Sequence, residues 1–263
     1  MEKVVIMIIE SATNVFWVTS TCRNSEHFEK LDYNSRVCAQ CLGVFDKNKK
    51  NFGDMITPYI YSKITGKNPI RTMDRNSTEP VCFGSGSIMN LCKQWKNVII
   101  WGTGIVHSKD EFDRPQKVFS VRGPLTRKRF LELGYDCPKI YGDPGLLLPK
   151  FYNKTKEKKY KIGIIPHYVD YEFCKKLFLN ISDISVIDVC NDVENVIDEI
   201  TMCERTISSS LHGIIVSHAY GIKSCWVEIS NFVYGDNTKF LDYYYSQDLI
   251  DVNRPISIKE FQS

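Results

Sequence analysis

Ser208-Ser209-Ser210-Leu211-His212 closes a β-branched run and opens an apolar segment that continues to Val216. That is the pattern of a strand ending where a helix begins. The first N–H groups of a helix lack intrahelical partners and carry the positive end of its macrodipole. Such a turn holds a phosphate or carboxylate with backbone donors and hydroxyls, and His212 adds a titratable group to it. Arg122 follows another strand and precedes the helix-opening Gly123-Pro124, where a guanidinium either faces the cleft and clamps an anion or closes a structural ion pair. Arg127 lies five residues further along that helix as a supporting cation. His167 follows the run Ile162 to Ile165 and Pro166, and Gly102-Thr103-Gly104 ends a further strand. Asp54 sits at a helix start, where a carboxylate also serves as a first-turn charge, and Gly53 beside it permits close backbone approach. Asp143 in Gly142-Asp143-Pro144 is read as a structural Asx-type turn.

The elements that position these residues alternate. Strands are expected at Val4–Ile9, Val81–Phe83, Asn97–Trp101, Lys117–Val121, Lys139–Tyr141, Lys161–Ile165, Ser185–Val189, Thr206–Ser208 and Lys223–Val227. Helical patterns fall between them, among them Met55 to Tyr61 closing near Gly66, with Pro58 expected in its first turn. Others open at Ile88 and at Pro124, and the rest are Tyr171–Leu179, Val193–Met202 and Leu211–Tyr220. Short β-branched runs alternating with helices indicate parallel sheets with crossover helices. A lysine-rich stretch, 150–159, is the expected linker. It divides the chain into an N-terminal Rossmann-like domain, 1–150, carrying an irregular segment at 11–50, and a C-terminal one, 151–263. In such sheets ligands bind beyond the carboxyl ends of the strands, where every glycine-rich turn named above falls.

Composition sets the outer bounds. With 43% apolar and 25% charged residues among 263, the chain is ordinary globular material, and a net charge of +3 makes no case for nucleic acid. No apolar run reaches the roughly 18–20 residues of a membrane span, and Val4–Ile9 reads as a buried strand, so a cytoplasmic location is expected. Ten cysteines are scattered, several in core-like runs. Cys38-Ala39-Gln40-Cys41, with Cys22 and His27 upstream, is half of a zinc pattern and has no second pair to complete it, so no metal is expected.

Seven segments appear in order: NFGDMITPYI, GSGSI, WGTGI, VRGPLTR, GDPGLLLP, IIPHY and SSLHGIIVSHAYGI, spanning Asn51 to Ile222. Together this ordered set resembles the polysaccharide pyruvyl transferase family. The resemblance implies two Rossmann-like domains facing a cleft, similar to the GT-B glycosyltransferase fold. It also implies transfer of a pyruvyl group from phosphoenolpyruvate, the donor substrate, onto two hydroxyls of a glycan or lipid-linked oligosaccharide, with no further cofactor. On that basis His212, Asp54 and His167 are the expected catalytic residues. Arg122, Arg127, Ser208, Ser209, Ser210, Gly53, Gly102 and Thr103 are the expected substrate contacts. Ser210 stands where many members carry arginine, which removes a planar fork of donors. A nucleotide-sugar glycosyltransferase, with Glu228 gripping a ribose, and a non-catalytic glycan-binding protein of the same fold remain alternatives.

Overall fold

Short strands of two to six residues build two all-parallel sheets. The computed structural model describes residues 14–16, 51–71, 74–154 and 156–258, with 14–16, 70 and 71 as backbone only. The expected strand Val4–Ile9, the cysteines at 22, 38 and 41, and nearly all of 11–50 lie outside the described residues. The first sheet holds β1 (Asn14–Phe16), β2 (Ile70–Arg71), β3 (Val81–Phe83), β4 (Val98–Trp101) and β5 (Lys117–Ser120), in the order β2-β1-β3-β4-β5. The second holds β6 (Tyr160–Ile165), β7 (Ile184–Val186), β8 (Cys203–Ser208), β9 (Ser224–Glu228) and β10 (Ile256–Ser257), in the order β10-β9-β8-β6-β7.

Both sheets therefore follow one Rossmann-like, doubly wound plan: the second strand lies outside the first, and the third returns to the first strand's other side. The reversal leaves a crevice between the first and third strands, which is where ligands bind in open α/β sheets. In the second sheet that crevice opens between β6 and β8, whose ends stay in register to Ile165 opposite Ser208.

The helices are α1 (Phe52–Thr65), α2 (Pro124–Glu132), α3 (Leu148–Phe151), α4 (Tyr171–Leu177), α5 (Val193–Thr201), α6 (Leu211–Ala219) and α7 (Thr238–Ser246). On α5 the buried residues Val193, Val196, Ile197 and Ile200 repeat at helical spacing, one stripe against the sheet. By contrast, α6 is buried continuously from Leu211 to Ser217, covered on every side with His212 and Ser217 among its buried residues. The parallel strands show the same signature: β3 and β4 are buried along their whole length.

The chain divides into two compact units. Among the described residues, one comprises those of 14–16, 56–147 and 234–254; the other comprises those of 51–55, 148–233 and 255–258. A division at 150 places 234–254 in the second block, whereas in the structure this segment packs with the first unit. Its helix α7 supplies Asp242, which is fully buried and bonds Arg122 and Thr126 of that unit. Residues 152–154 and 156–159 lie outside helices and strands, between the single turn of helix at α3 and β6. Two further expectations change. Lys139–Tyr141 makes only an isolated bridge, Val121 to Tyr141, and the segment after Ile88 forms one 3₁₀ turn, Met89–Cys92. Among the described residues, no helix is long and apolar enough to cross a membrane.

Candidate active site

The Asn51 carbonyl and side chain start α1. Its Oδ1 accepts the Gly53 N–H at 2.9 Å, and its carbonyl accepts those of Asp54 and Met55. Phe52, fully buried, donates its N–H to the Val189 carbonyl at 2.8 Å, which fastens this helix start to the second unit. The helix thus begins three residues earlier than the Met55 pattern suggests, and Pro58 lies inside it. With no N–H on Pro58, the carbonyl of Asp54 lacks its usual helical donor.

Across from this start stands His212, in the first turn of α6. The Phe52 and His212 rings meet edge to face, 6.3 Å between centroids. A Cβ on Gly53 would fall inside the imidazole, so only glycine lets the two helix starts approach this closely. Gly53→Ala is therefore expected to displace the ring and destabilise the protein by about 1–3 kcal/mol, the range for overpacking. A shift of the urea midpoint together with a shifted His212 imidazole resonance would show both.

Asp54 completes the arrangement. Burial pushes its carboxyl up from the ordinary range to about 7, while the charge of the His212 side chain pulls in the opposite direction. A carboxyl poised there exchanges its proton at neutral pH, which suits general acid–base work. Both groups, with Gly53, belong to the second unit.

The serine turn lies at the crevice between β6 and β8. Ser208 is fully buried, with its hydroxyl 2.8 Å from the Ile165 and Ser210 carbonyls and accepting the Ser210 N–H at 3.0 Å. Its hydroxyl shapes the turn and is occupied in doing so. The Ser209 hydroxyl accepts the His167 N–H at 2.9 Å, a bond that spans the crevice from the end of β6 to the end of β8. Ser210 is the N-cap residue of α6, in extended conformation, and its side chain makes no capping bond. His167 is half-buried and stacks on Tyr168, with ring centroids 4.3 Å apart.

The other expected contacts lie in the first unit and face inward. Arg122 is fully buried: Nε donates to Asp242 Oδ2 at 3.1 Å, Nη1 to Ser87 Oγ at 2.5 Å, and Nη2 to the Ile105 carbonyl at 2.7 Å. Its guanidinium closes a structural ion pair and presents no surface to an anion. Thr103, also fully buried, donates its hydroxyl to the Gly86 carbonyl at 2.8 Å. Gly102 adopts φ 85° and backs onto the turn at Gly142 and Pro144. Arg127 donates Nε to the Cys137 carbonyl at 3.1 Å. Asp143 forms the expected Asx-type turn, accepting the Gly145 N–H at 2.8 Å.

Two buried carboxylates lie outside the motifs. Asp170, buried at the start of α4, accepts the Ser230 hydroxyl at 2.5 Å, and burial raises its carboxyl. Asp242 had a legible signal: a lone carboxylate among Phe240, Tyr243 and Tyr244, which marks a buried acid that needs a cation.

Comparison with known proteins agrees with the ordered motifs. A family model described as polysaccharide pyruvyl transferase matches residues 84–231, more than half of the chain, taking in the serine turn and His212 but not Asp54. An uncharacterized protein of Acanthamoeba polyphaga mimivirus is 36% identical over 201 residues, covering 73% of this chain and 69% of that protein. A solved structure of a functionally uncharacterized Klebsiella pneumoniae protein aligns over 80% of this chain and 90% of that one, with 17% identity and a TM-score of 0.49.

Proposed function

Because the chain belongs to the polysaccharide pyruvyl transferase family, we propose that it takes phosphoenolpyruvate as donor and builds a cyclic pyruvate ketal on two hydroxyls of a sugar. The acceptor is a glycan or lipid-linked oligosaccharide. The observation that carries this reading is the meeting of Asp54 and His212 over Gly53 in the second unit, with the Asp54 carboxyl pushed to about 7.

The chemistry asks for an acid, a base and an anion grip. Protonation of the donor's methylene carbon makes an oxocarbenium-like centre at its enol carbon. One sugar hydroxyl adds there and gives up its proton; phosphate then leaves, and the second hydroxyl closes the ring with loss of another proton. Asp54 in its ionised form serves as base toward the hydroxyls. His212 supplies the proton or steadies the phosphate, and His167 assists from the end of β6. Ser209, Ser210 and the first N–H groups of α6 favour the doubly acidic donor. Nothing in this scheme requires Arg122, whose guanidinium is engaged inside the first unit.

Phosphoenolpyruvate mixed with a panel of galactosides and mannosides should release phosphate in step with ketal formation. His212→Ala should lower that rate at least ~10²-fold, the scale of general acid–base contributions. Turnover only with a nucleotide sugar would replace this reading with a glycosyltransferase, and glycan binding without any turnover would replace it with a binding protein.

A further inference from the structure

Single apolar side chains on a protein surface are ordinary, whereas neighbouring ones mark a surface that meets something. Among the described residues, ten large apolar side chains stand exposed, and four of them fall within nine positions of the second unit. They are Phe173, Leu177, Leu179 and Ile181, 40–62% exposed. On α4, Cys174 is the buried residue, while Phe173 and Leu177, four positions apart, share the outer face with Lys176. Beyond the helix the chain turns tightly. The N–H groups of Asn180 and Ile181 both return to the Phe178 carbonyl, at 3.1 and 3.3 Å, and Asn180 takes φ 148°. Leu179 and Ile181 stand out on either side of that residue as an apolar knuckle.

The charge around the knuckle has one sign in excess. The turn runs into β7, and the Asp183 carbonyl accepts the Lys161 N–H at 2.9 Å, so the knuckle adjoins the amino end of β6 and the lysine-rich stretch before it. Residues 154–161 and 171–183 together hold seven lysines, three carboxylates and no arginine. Lys156 pairs with Asp198 and Lys161 with Asp183. Lys159, Lys175 and Lys176 are exposed, and no carboxylate among the described residues pairs with them.

That combination selects the occupant. A second copy of the chain would bring the same excess of positive charge and be repelled. Protein interfaces in general favour arginine and are depleted in lysine. A lipid surface suits lysine, because its alkyl stem lies along the apolar layer while the ammonium meets headgroup phosphates. Aromatic and aliphatic side chains rimmed by lysines are the pattern of a segment that lies in the membrane interface.

We infer that α4 and the turn after it dock the second unit on an anionic lipid surface. Phe173, Leu177, Leu179 and Ile181 enter the headgroup layer, and Lys175 and Lys176 lie on lipid phosphates. The attachment is peripheral and reversible. It rests on the surface of this unit alone and does not require that the chain transfer pyruvate.

Cosedimentation of the full chain with vesicles tests it. Vesicles of phosphatidylcholine with about one third phosphatidylglycerol should retain at least about fivefold more protein than phosphatidylcholine alone, and added salt should release it. Leu179→Ser combined with Ile181→Ser should weaken retention at least about tenfold. Lys175→Glu combined with Lys176→Glu should remove the preference for the anionic vesicles. Leu249 and Ile250, an exposed apolar pair in the first unit, supply the control, and serine at both should leave retention unchanged. Equal retention on the two kinds of vesicle overturns the inference, as does full retention of the knuckle variant. Light scattering that shows a dimer which the knuckle variant abolishes gives the surface to a second copy instead. Binding to immobilised polyglutamate with none to vesicles gives it to an acidic protein. Should the paired serine variant lose its fold, the headgroup and salt dependence of the unaltered chain, set against the Lys175→Glu, Lys176→Glu variant, decides.

Discussion

Asp54→Asn is expected to cut transfer at least ~10²-fold and at the same time to stabilise the protein above neutral pH. The two effects share a cause. Burial raises the folded-state carboxyl to about 7, while in the unfolded chain it titrates near its ordinary value. Between those two values the folded protein holds a proton that the unfolded chain has already released. Stability contributed by this group is therefore present below the unfolded value and falls as pH rises toward 7. Asparagine carries no such proton. The variant should match the parent in urea unfolding near pH 4 and exceed it by up to about 4 kcal/mol near pH 8. In turnover, the parent's rate should climb with pH through about 7 as Asp54 ionises, a limb that the variant should lack. A purely structural carboxylate predicts otherwise. Its replacement would leave the pH profile of the remaining activity unchanged, and a variant with that profile would remove Asp54 from the chemistry.

Local pattern made much of this fold legible, and distance in the chain hid the rest. Val81–Phe83 and Val98–Trp101 read as buried strands because a parallel sheet covered on both faces needs unbroken apolar runs, and the structure places strands there. The serine turn read as a strand-to-helix junction, and β8 does end at Ser208 with α6 opening at Leu211. Lys139–Tyr141 misled because three residues with one flanking partner do not sustain a ladder. Helix α7 is not legible in the sequence because its segment Phe240 to Tyr245 fits no clean helical stripe, and its place in the first unit is set by contacts across more than a hundred residues. Within the site, Gly53 and His212 were each legible as ligand-facing candidates. Their closeness to one another was not, since 159 positions separate them. Arg122 shows the converse error. A guanidinium at a strand end suits an anion and a buried carboxylate equally well, and only the position of Asp242 decides between them.

That pair sets the second large effect. Asp242→Ala should destabilise the protein by about 3–5 kcal/mol, because it leaves the Arg122 charge buried without its carboxylate. The Thr126 N–H and hydroxyl, which Asp242 also accepts, lose their partner in the same step. Arg122→Ala should cost a similar amount by the reverse route, leaving a buried carboxylate and opening a cavity against Ser87 and Ile105. Removing both charges together tests the electrostatic account. Arg122→Met with Asp242→Leu strands no ion, so its urea midpoint should lie well above that of either single variant. Strict additivity of the two single losses would mean that packing rather than charge holds the pair. Backbone geometry explains why the pairing is so specific. A Cβ at Gly123 would land on the Asp242 carbonyl, so the residue after Arg122 has to be glycine for α7 to come within reach of the guanidinium. The Arg-Gly-Pro run is in this light a docking point for α7. Gly123→Ala should therefore mimic Asp242→Ala in stability even though it removes no charge.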